Sequence, residues 1–417
     1  MVSRRDPDAI LDVPVPRGGA PDRPPRLLAD RQFLWLVSGD AFAQLGRWAF
    51  FLAVLGDATF RLNASSSQVA LIIGFFSLPL ILVSPLYGAA ADRWSAKWLL
   101  VLTSLAAVPV PFVALSTSSL GWLYVTAALY GLVHAATTPS RGAMVPRLVP
   151  SDRLVEANGT ISAAVAIQMV LGPAIAALLT SLAGPTAPYY VTVGATALAA
   201  TFYLLVPDRR REGPDTSAGV FSDVAAGMRE AWRSPSLRRM LLLDISVWFL
   251  IGLLISLEPL YIKRDLGLDQ AFLGVLWSVY GLGELAGSLM LTRVRNGAGR
   301  ELSFAARGLL LASAGFLLYV SVPIGIAALA ANLVFGIGFP FFVGSAHALI
   351  QRVARFPGRV TAAFSMVGEA GPVATALLLT VAGRDVAVRP WLLGSGILFT
   401  LVGLSALRIS VRLRGAG

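Results

Sequence analysis

The sequence predicts an all-α membrane protein, with twelve transmembrane helices arranged as two six-helix pseudo-repeats. Composition is the first reason. Of 417 residues, 56% are hydrophobic and 14% charged, with a mean hydropathy of +0.72, against roughly 45–50% and about 25% in soluble domains. The second is run length. Apolar stretches continue unbroken for long enough to cross about 30 Å of hydrocarbon as helix, unlike the short alternating strands of a barrel. The third is an internal offset. A shift of 199 positions carries Gly172-Pro173 onto Gly371-Pro372, Ala163-Ala164 onto Ala362-Ala363, Arg153 onto Arg352 and Gly88 onto Gly287. In a chain rich in Ala and Gly, coincidence is the competing explanation of those matches.

Apolar runs bounded by charged or Gly/Pro/Ser clusters place spans near 33–56, 68–91, 98–116, 120–138, 158–182 and 188–206. A second set falls near 239–261, 269–292, 303–321, 324–350, 360–382 and 388–407. The chain therefore divides into a tail (1–32), a six-helix bundle (33–206), a central loop (207–238), a second bundle (239–407) and a C-terminal tail (408–417). The first 32 residues hold six Pro and mixed Arg and Asp without an apolar core, so they read as a disordered tail and not as a signal peptide. In the central loop, Phe221 to Trp232 has apolar residues recurring at three and four, which predicts a short helix lying at the membrane surface.

The net charge of +11 follows topology. With the tail in the cytoplasm, 27 Lys/Arg fall on that side and five (Arg61, Lys263, Arg264, Arg384, Arg389) on the other, while Arg47 and Arg307 belong to spans. Such asymmetry puts both termini in the cytoplasm of a bacterial cell membrane and leaves no nucleic-acid footprint. The chain has no Cys and two His, too few for a zinc site. No G-x-x-x-x-G-K-[ST] motif is present, so no nucleotide engine is expected and no cofactor is implied.

The segment after span two, Gly88-Ala-Ala-Ala-Asp92-Arg93-Trp-Ser-Ala-Lys97, has the spacing G-x-x-x-D-R-x-x-x-K. A second segment, Thr138 to Gly159, contains Pro-x-Arg, Pro-x-Leu-Val and Leu-x-x-Ala-Asn. Through these the chain resembles the major facilitator superfamily, and within it bacterial exporters of the enterobactin-exporter and macrolide-efflux type. Ser95 stands where the superfamily has Gly. Ala127 stands where drug/proton antiporters have Arg, and their G-P-x-x-G-G motif is here Gly172-Pro173-Ala-Ile-Ala176-Ala177. The resemblance implies a gating loop of Gly88, Asp92, Arg93 and Lys97. In it, Asp92 accepts from backbone N–H groups near Arg359, while Arg93 and Lys97 hold anionic partners or lipid head groups, or serve only as topological charges. The pairs Gly172-Pro173 and Gly371-Pro372 are implied as helix-packing motifs.

Ionisable residues at membrane depth cost roughly 2.5–3.5 kcal/mol on insertion scales, so each asks for a reason. Asp40, Gln44 and Arg47 share one face of span one, too far apart for direct contact between Asp40 and Arg47 but bridgeable by Gln44 or water. They are cavity candidates, with Trp48, Gln168, Trp248, Trp277 and Asn332, whose alternative is core packing. Glu369, which precedes Gly371-Pro372 where a broken helix would admit solvent, leads the proton-coupling candidates, followed by Glu284, Asp40 and Glu258. Glu258 is equally an outer-gate charge beside Lys263 and Arg264, and Asp244 reads as a solvated acid near the cytoplasmic edge. His134 and His347 read as packing residues, and Trp35, Trp94, Trp98, Trp122 and Trp391 as interfacial anchors.

These readings converge on a secondary active transporter, working as a monomer in the bilayer, that exports amphipathic small molecules such as antibiotics or siderophores in exchange for protons. An importer or uniporter of a small metabolite is the alternative. A membrane scaffold or an intramembrane enzyme lacks the soluble domain or the convergent His, Asp and Ser that it would need.

Overall fold

The computed structural model describes residues 27–150, 153–209, 220–293 and 300–415. The expectation of a disordered tail therefore falls outside the described residues up to position 26, as does part of the central loop. The first set of helices is α1 (Arg31–Gly56), α2 (Ser66–Arg93), α3 (Ala96–Ala107) with α4 (Val110–Leu115), α5 (Leu120–His134) with α6 (Thr137–Leu148), α7 (Leu154–Ala183) and α8 (Ala187–Leu205). The central-loop helix α9 (Val220–Arg233) precedes α10 (Pro235–Arg264), α11 (Gln270–Arg293), α12 (Glu301–Ser321), α13 (Gly325–Val353), α14 (Pro357–Ala382) and α15 (Val388–Gly415). Among the described residues, eleven spans are long and apolar enough to cross a membrane. The twelfth, α1, is lowered in hydropathy by Asp40, Gln44 and Arg47 and packs against α7 and α8.

Local signals start and stop these helices. Asp30 caps α1 by accepting from the Gln32 N–H at 2.9 Å, and Ser65 with Gln68 forms a capping box at α2. Pro opens α10 and α14, where the first N–H has no partner to lose. Helices α7 and α14 both end at a glycine in positive φ, Gly184 at 93° and Gly383 at 125°, again 199 positions apart. The internal offset thus recurs in backbone geometry. It fails at one pair: Arg153 precedes α7, but Arg352 lies inside α13.

The two sets meet along two seams, α2 against α14 and α7 against α11. Small residues permit the approach. A Cβ on Gly274 of α11 would lie 2.7 Å from the Pro173 carbonyl oxygen, and one on Gly281 2.9 Å from that of Met169.

Four expectations are corrected. Span four does not end near 138: after a break at Ala135-Ala136 it continues as α6 to Leu148, so most of the segment read as a loop is helix. Span three is interrupted at Val108-Pro109. Helix α14 runs through Gly371-Pro372, and no broken helix exposes Glu369. Helix α9 forms where periodicity placed it, but its apolar face docks on α14 and α10, with Ala231 fully buried.

Candidate functional site

The polar stripe on α1 divides between two partners. Asp40, 1% exposed, receives Arg141 Nη1 of α6 at 2.8 and 2.7 Å on its two oxygens. Gln44 therefore does not bridge Asp40 to Arg47; its Oε1 accepts from Arg47 Nε at 2.9 Å. The Arg47 guanidinium lies 4.5 Å from the centre of the Trp48 ring and within electrostatic reach of Glu369 on α14, without a direct ion pair among the described residues. Glu369 itself interacts with Ser77 of α2. Arg47 and Glu369, from opposite sets, thus lie within electrostatic range of one another.

Aromatic contacts extend this centre. Trp48 meets Trp277 of α11 edge-on at 5.9 Å, and Trp277 Nε1 donates to Glu258 at 2.7 Å. Glu258 is buried and its described bond is to an indole, so it is not an outer-gate partner of Lys263 or Arg264. Asp244 is not a solvated acid: it is 5% exposed, accepts from Trp248 Nε1 at 3.2 Å through one oxygen, and leaves the other buried without a partner. Glu284 likewise has one buried unpartnered oxygen. Asn332 ties α13 to α11 through the Leu276 carbonyl at 3.0 Å, the packing alternative. Gln168 lies half-buried on α7 at the second seam, and Trp248 packs edge-on against Phe339. His134 stacks with Tyr130 and lines a recess with Thr103, Ser104, Thr137 and Thr196.

Both Gly-Pro pairs pack against a tryptophan of the first helix in their own set. A Cβ on Gly172 would lie 2.8 Å from the Trp48 Cβ, and one on Gly371 2.6 Å from the Trp248 carbonyl carbon. Gly252 of α10 in turn sits against Pro372.

On the face opposite the chain termini the two sets are sewn together. Lys263 Nζ donates to the Thr59 carbonyl at 2.5 Å and to Asn63 Oδ1 at 2.6 Å. Ser67 Oγ donates to the Arg384 carbonyl at 2.9 Å, and Ser66 Oγ accepts from Val386 N–H at 2.9 Å. Gln270 reaches the Leu52 and Pro185 carbonyls. Asp385 closes the group through Arg264 at 3.0 Å and the Ser66 N–H at 3.3 Å. Partial burial pushes the Asp385 carboxyl upward, but these donors outweigh it and hold it below its ordinary 3.8.

On the terminal face, the side chains of Asp92 and Arg93 lie outside the described residues. Gly88 approaches Pro139, and Lys97 lies 5.4 Å from the centre of the Trp98 ring. The start of α14 carries α9: Asp223 pairs with Arg359 at 2.9 Å, Glu230 accepts from the Arg355 N–H at 2.5 Å, and Gly227 lies against the Arg359 carbonyl.

Sequence reasoning missed Arg141 and Ser77. Arg141 falls between the spans expected near 120–138 and 158–182, in a segment punctuated by Pro139, Gly142 and Pro146. The available signal was the spacing of Thr137, Ser140, Met144, Val145 and Leu148, all buried in α6.

Two helix sets that meet at a polar centre, sealed on one face, define a polytopic membrane carrier. The chain belongs to the Major Facilitator Superfamily, whose family model matches residues 36–376. It is 26% identical to the uncharacterized MFS-type transporter YfiS of Bacillus subtilis, over 76% of each chain. It is 24% identical to Macrolide efflux protein A of Streptococcus pyogenes, over 82% of this chain and 86% of that one. Among solved structures it resembles a POT family transporter in complex with a thioalcohol-conjugated peptide, with a TM-score of 0.73, 12% identity and coverage of 92% and 96%. That likeness is one of fold alone.

Proposed function

We propose that this protein is a secondary active exporter of amphipathic small molecules, driven by proton antiport through alternating access. The observation that carries the reading is the electrostatic proximity of Arg47 and Glu369, one from each helix set, in a bundle tied closed on the face opposite the termini. The crowding of basic residues on the face of the termini supports a cytoplasmic position for that face, in a bacterial inner membrane. In that orientation the closed face looks outward, which suits a carrier that loads its substrate from the cytoplasm. The similarity to Macrolide efflux protein A supports the amphipathic substrate class.

Trp48, Trp277 and Trp248 supply apolar walls, and Gln44, Arg47 and Glu369 the polar floor. Asp40 is committed to Arg141 and holds α1 to α6. An ionised Glu369 offers its oxygens to a donor or cationic group of the substrate; once protonated it does not. A carboxyl that holds substrate or proton, but not both, gives exchange instead of cotransport.

The test is dye-reported proton movement in acidified everted vesicles, challenged with erythromycin, ethidium, norfloxacin and a catecholate siderophore. Wild type is expected to release protons with at least one compound and Glu369→Gln with none. Equal release by the variant would contradict coupling through Glu369. Silence of inserted wild type across the series would contradict proton-driven export of this class.

A further inference from the structure

A second charged site lies on the terminal face of the first helix set, away from the transport seam. Arg147, at the end of α6, donates through Nη1 to the Arg209 carbonyl at 3.3 Å and through Nη2 to the Ala91 carbonyl at 3.0 Å. Arg209, just beyond α8, returns the bond through Nη1 to the Arg147 carbonyl at 3.1 Å and donates through Nη2 to Gln32 Oε1 at 2.9 Å. Each guanidinium is thereby held by neutral oxygens, one of them the main-chain carbonyl of the other arginine. Neither has a carboxylate within ion-pair distance among the described residues. Of the described acids nearby, Asp208 accepts from Ser95 Oγ at 2.5 Å, and Asp30 caps α1.

Like charges this close, without a counter-charge among the described residues, repel, and their hold on carbonyls keeps them in place for an anion. The surroundings name its source. Trp94 is 71% exposed and Trp98 46% exposed; Trp94 lies with Ser95 on the turn between α2 and α3, Trp98 in the first turn of α3 and Ala91 in the last turn of α2. Lys97 folds over Trp98. Exposed indoles beside basic groups at the end of membrane-crossing helices mark head-group depth, where the anion at hand is a lipid phosphate.

We infer that Arg147 and Arg209 form a binding site for the phosphate of an anionic phospholipid, which joins the ends of α1, α2, α6 and α8. The site does not touch Arg47 or Glu369, so it stands independently of the transport reading.

The purified protein in detergent, supplied with phosphatidylglycerol, phosphatidylcholine or inorganic phosphate, gives the test through native mass spectrometry and thermal melting. Wild type is expected to retain phosphatidylglycerol in preference to phosphatidylcholine and to melt several degrees higher with it. The Arg147→Gln/Arg209→Gln double variant is expected to lose the preference, and the Lys double variant to keep part of it. Retention of the preference by the Gln variant would overturn the site. A full melting shift with inorganic phosphate alone would overturn the lipid as its occupant. Lipid counting by mass keeps the test readable if the Gln variant is unstable.

Discussion

Asp40 is held at membrane depth by an arginine one hundred residues along the chain, and the pair is asymmetric in what its loss would do. Removing Arg141 strands a buried charge, so Arg141→Ala is expected to destabilise the detergent-solubilised protein by roughly 3–5 kcal/mol. Neutralising the partner with Asp40→Asn in the same chain should recover much of that, as judged by thermal melting. Equal melting of wild type and Arg141→Ala would show that the pair holds nothing. Glycine contacts give a second expectation at this scale. A methyl on Gly371 would press on the Trp248 backbone, which cannot swing aside, whereas one on Gly358 meets nothing within 4 Å. Gly371→Ala should cost about 1–3 kcal/mol and Gly358→Ala should be near neutral. At this scale the sequence showed which polar residues sit among apolar ones, because each is conspicuous in a long apolar run. It did not show partners. The pairing of Asp40 with Arg141, or of Glu258 with Trp277, joins different helices and leaves no spacing to read.

At the scale of helices, α9 and the loop at Asp385 behave differently under test. The Asp223–Arg359 pair is partly exposed, so Asp223→Asn alone should cost about 0–1 kcal/mol. Gly227→Val, whose Cβ would strike the Arg359 carbonyl, should undock α9 and raise amide exchange across Val220–Arg233 and the first turn of α14. Unchanged exchange there would contradict the docking. For the opposite face the sign follows from Asp385. A carboxyl held below its unfolded value adds stability above that value and gives it up as pH falls through the folded one. The Ser66 and Val386 amides should therefore exchange more freely only below about pH 4, near the ordinary aspartate value. Loosening between pH 8 and 6 would point to another group. Although α15 continues from the expected end at 407 to Gly415, through most of the segment expected as a tail, most helix positions were legible to within a few residues because hydrocarbon thickness sets their length. The breaks in spans three and four were not, since apolar content continues across Val108-Pro109 and Ala135-Ala136, and the extension into α6 was hidden by its Pro and Gly.

For the molecule as a whole, the 199-residue offset was visible in sequence and is repeated in the glycine ends of α7 and α14 and in the Gly-Pro contacts to Trp48 and Trp248. The seams were not visible, because the glycines that line them differ from other glycines only in what they meet. The central claim is that the two sets rock about the seam, so that one face opens as the other closes. The chain has no cysteine, and spin labels can be introduced without removing native thiols. Labels at Ser119 and Ser321 report the opposite face, and labels at Asn158 and Gln351 the terminal face. Pulsed electron resonance on both pairs, in wild type and in Glu369→Gln as a mimic of the protonated carboxyl, is the most direct measurement. The account predicts reciprocal change, one pair lengthening as the other shortens, with Glu369→Gln shifting the balance. Distances that stay fixed in both variants, or that lengthen together, would contradict it.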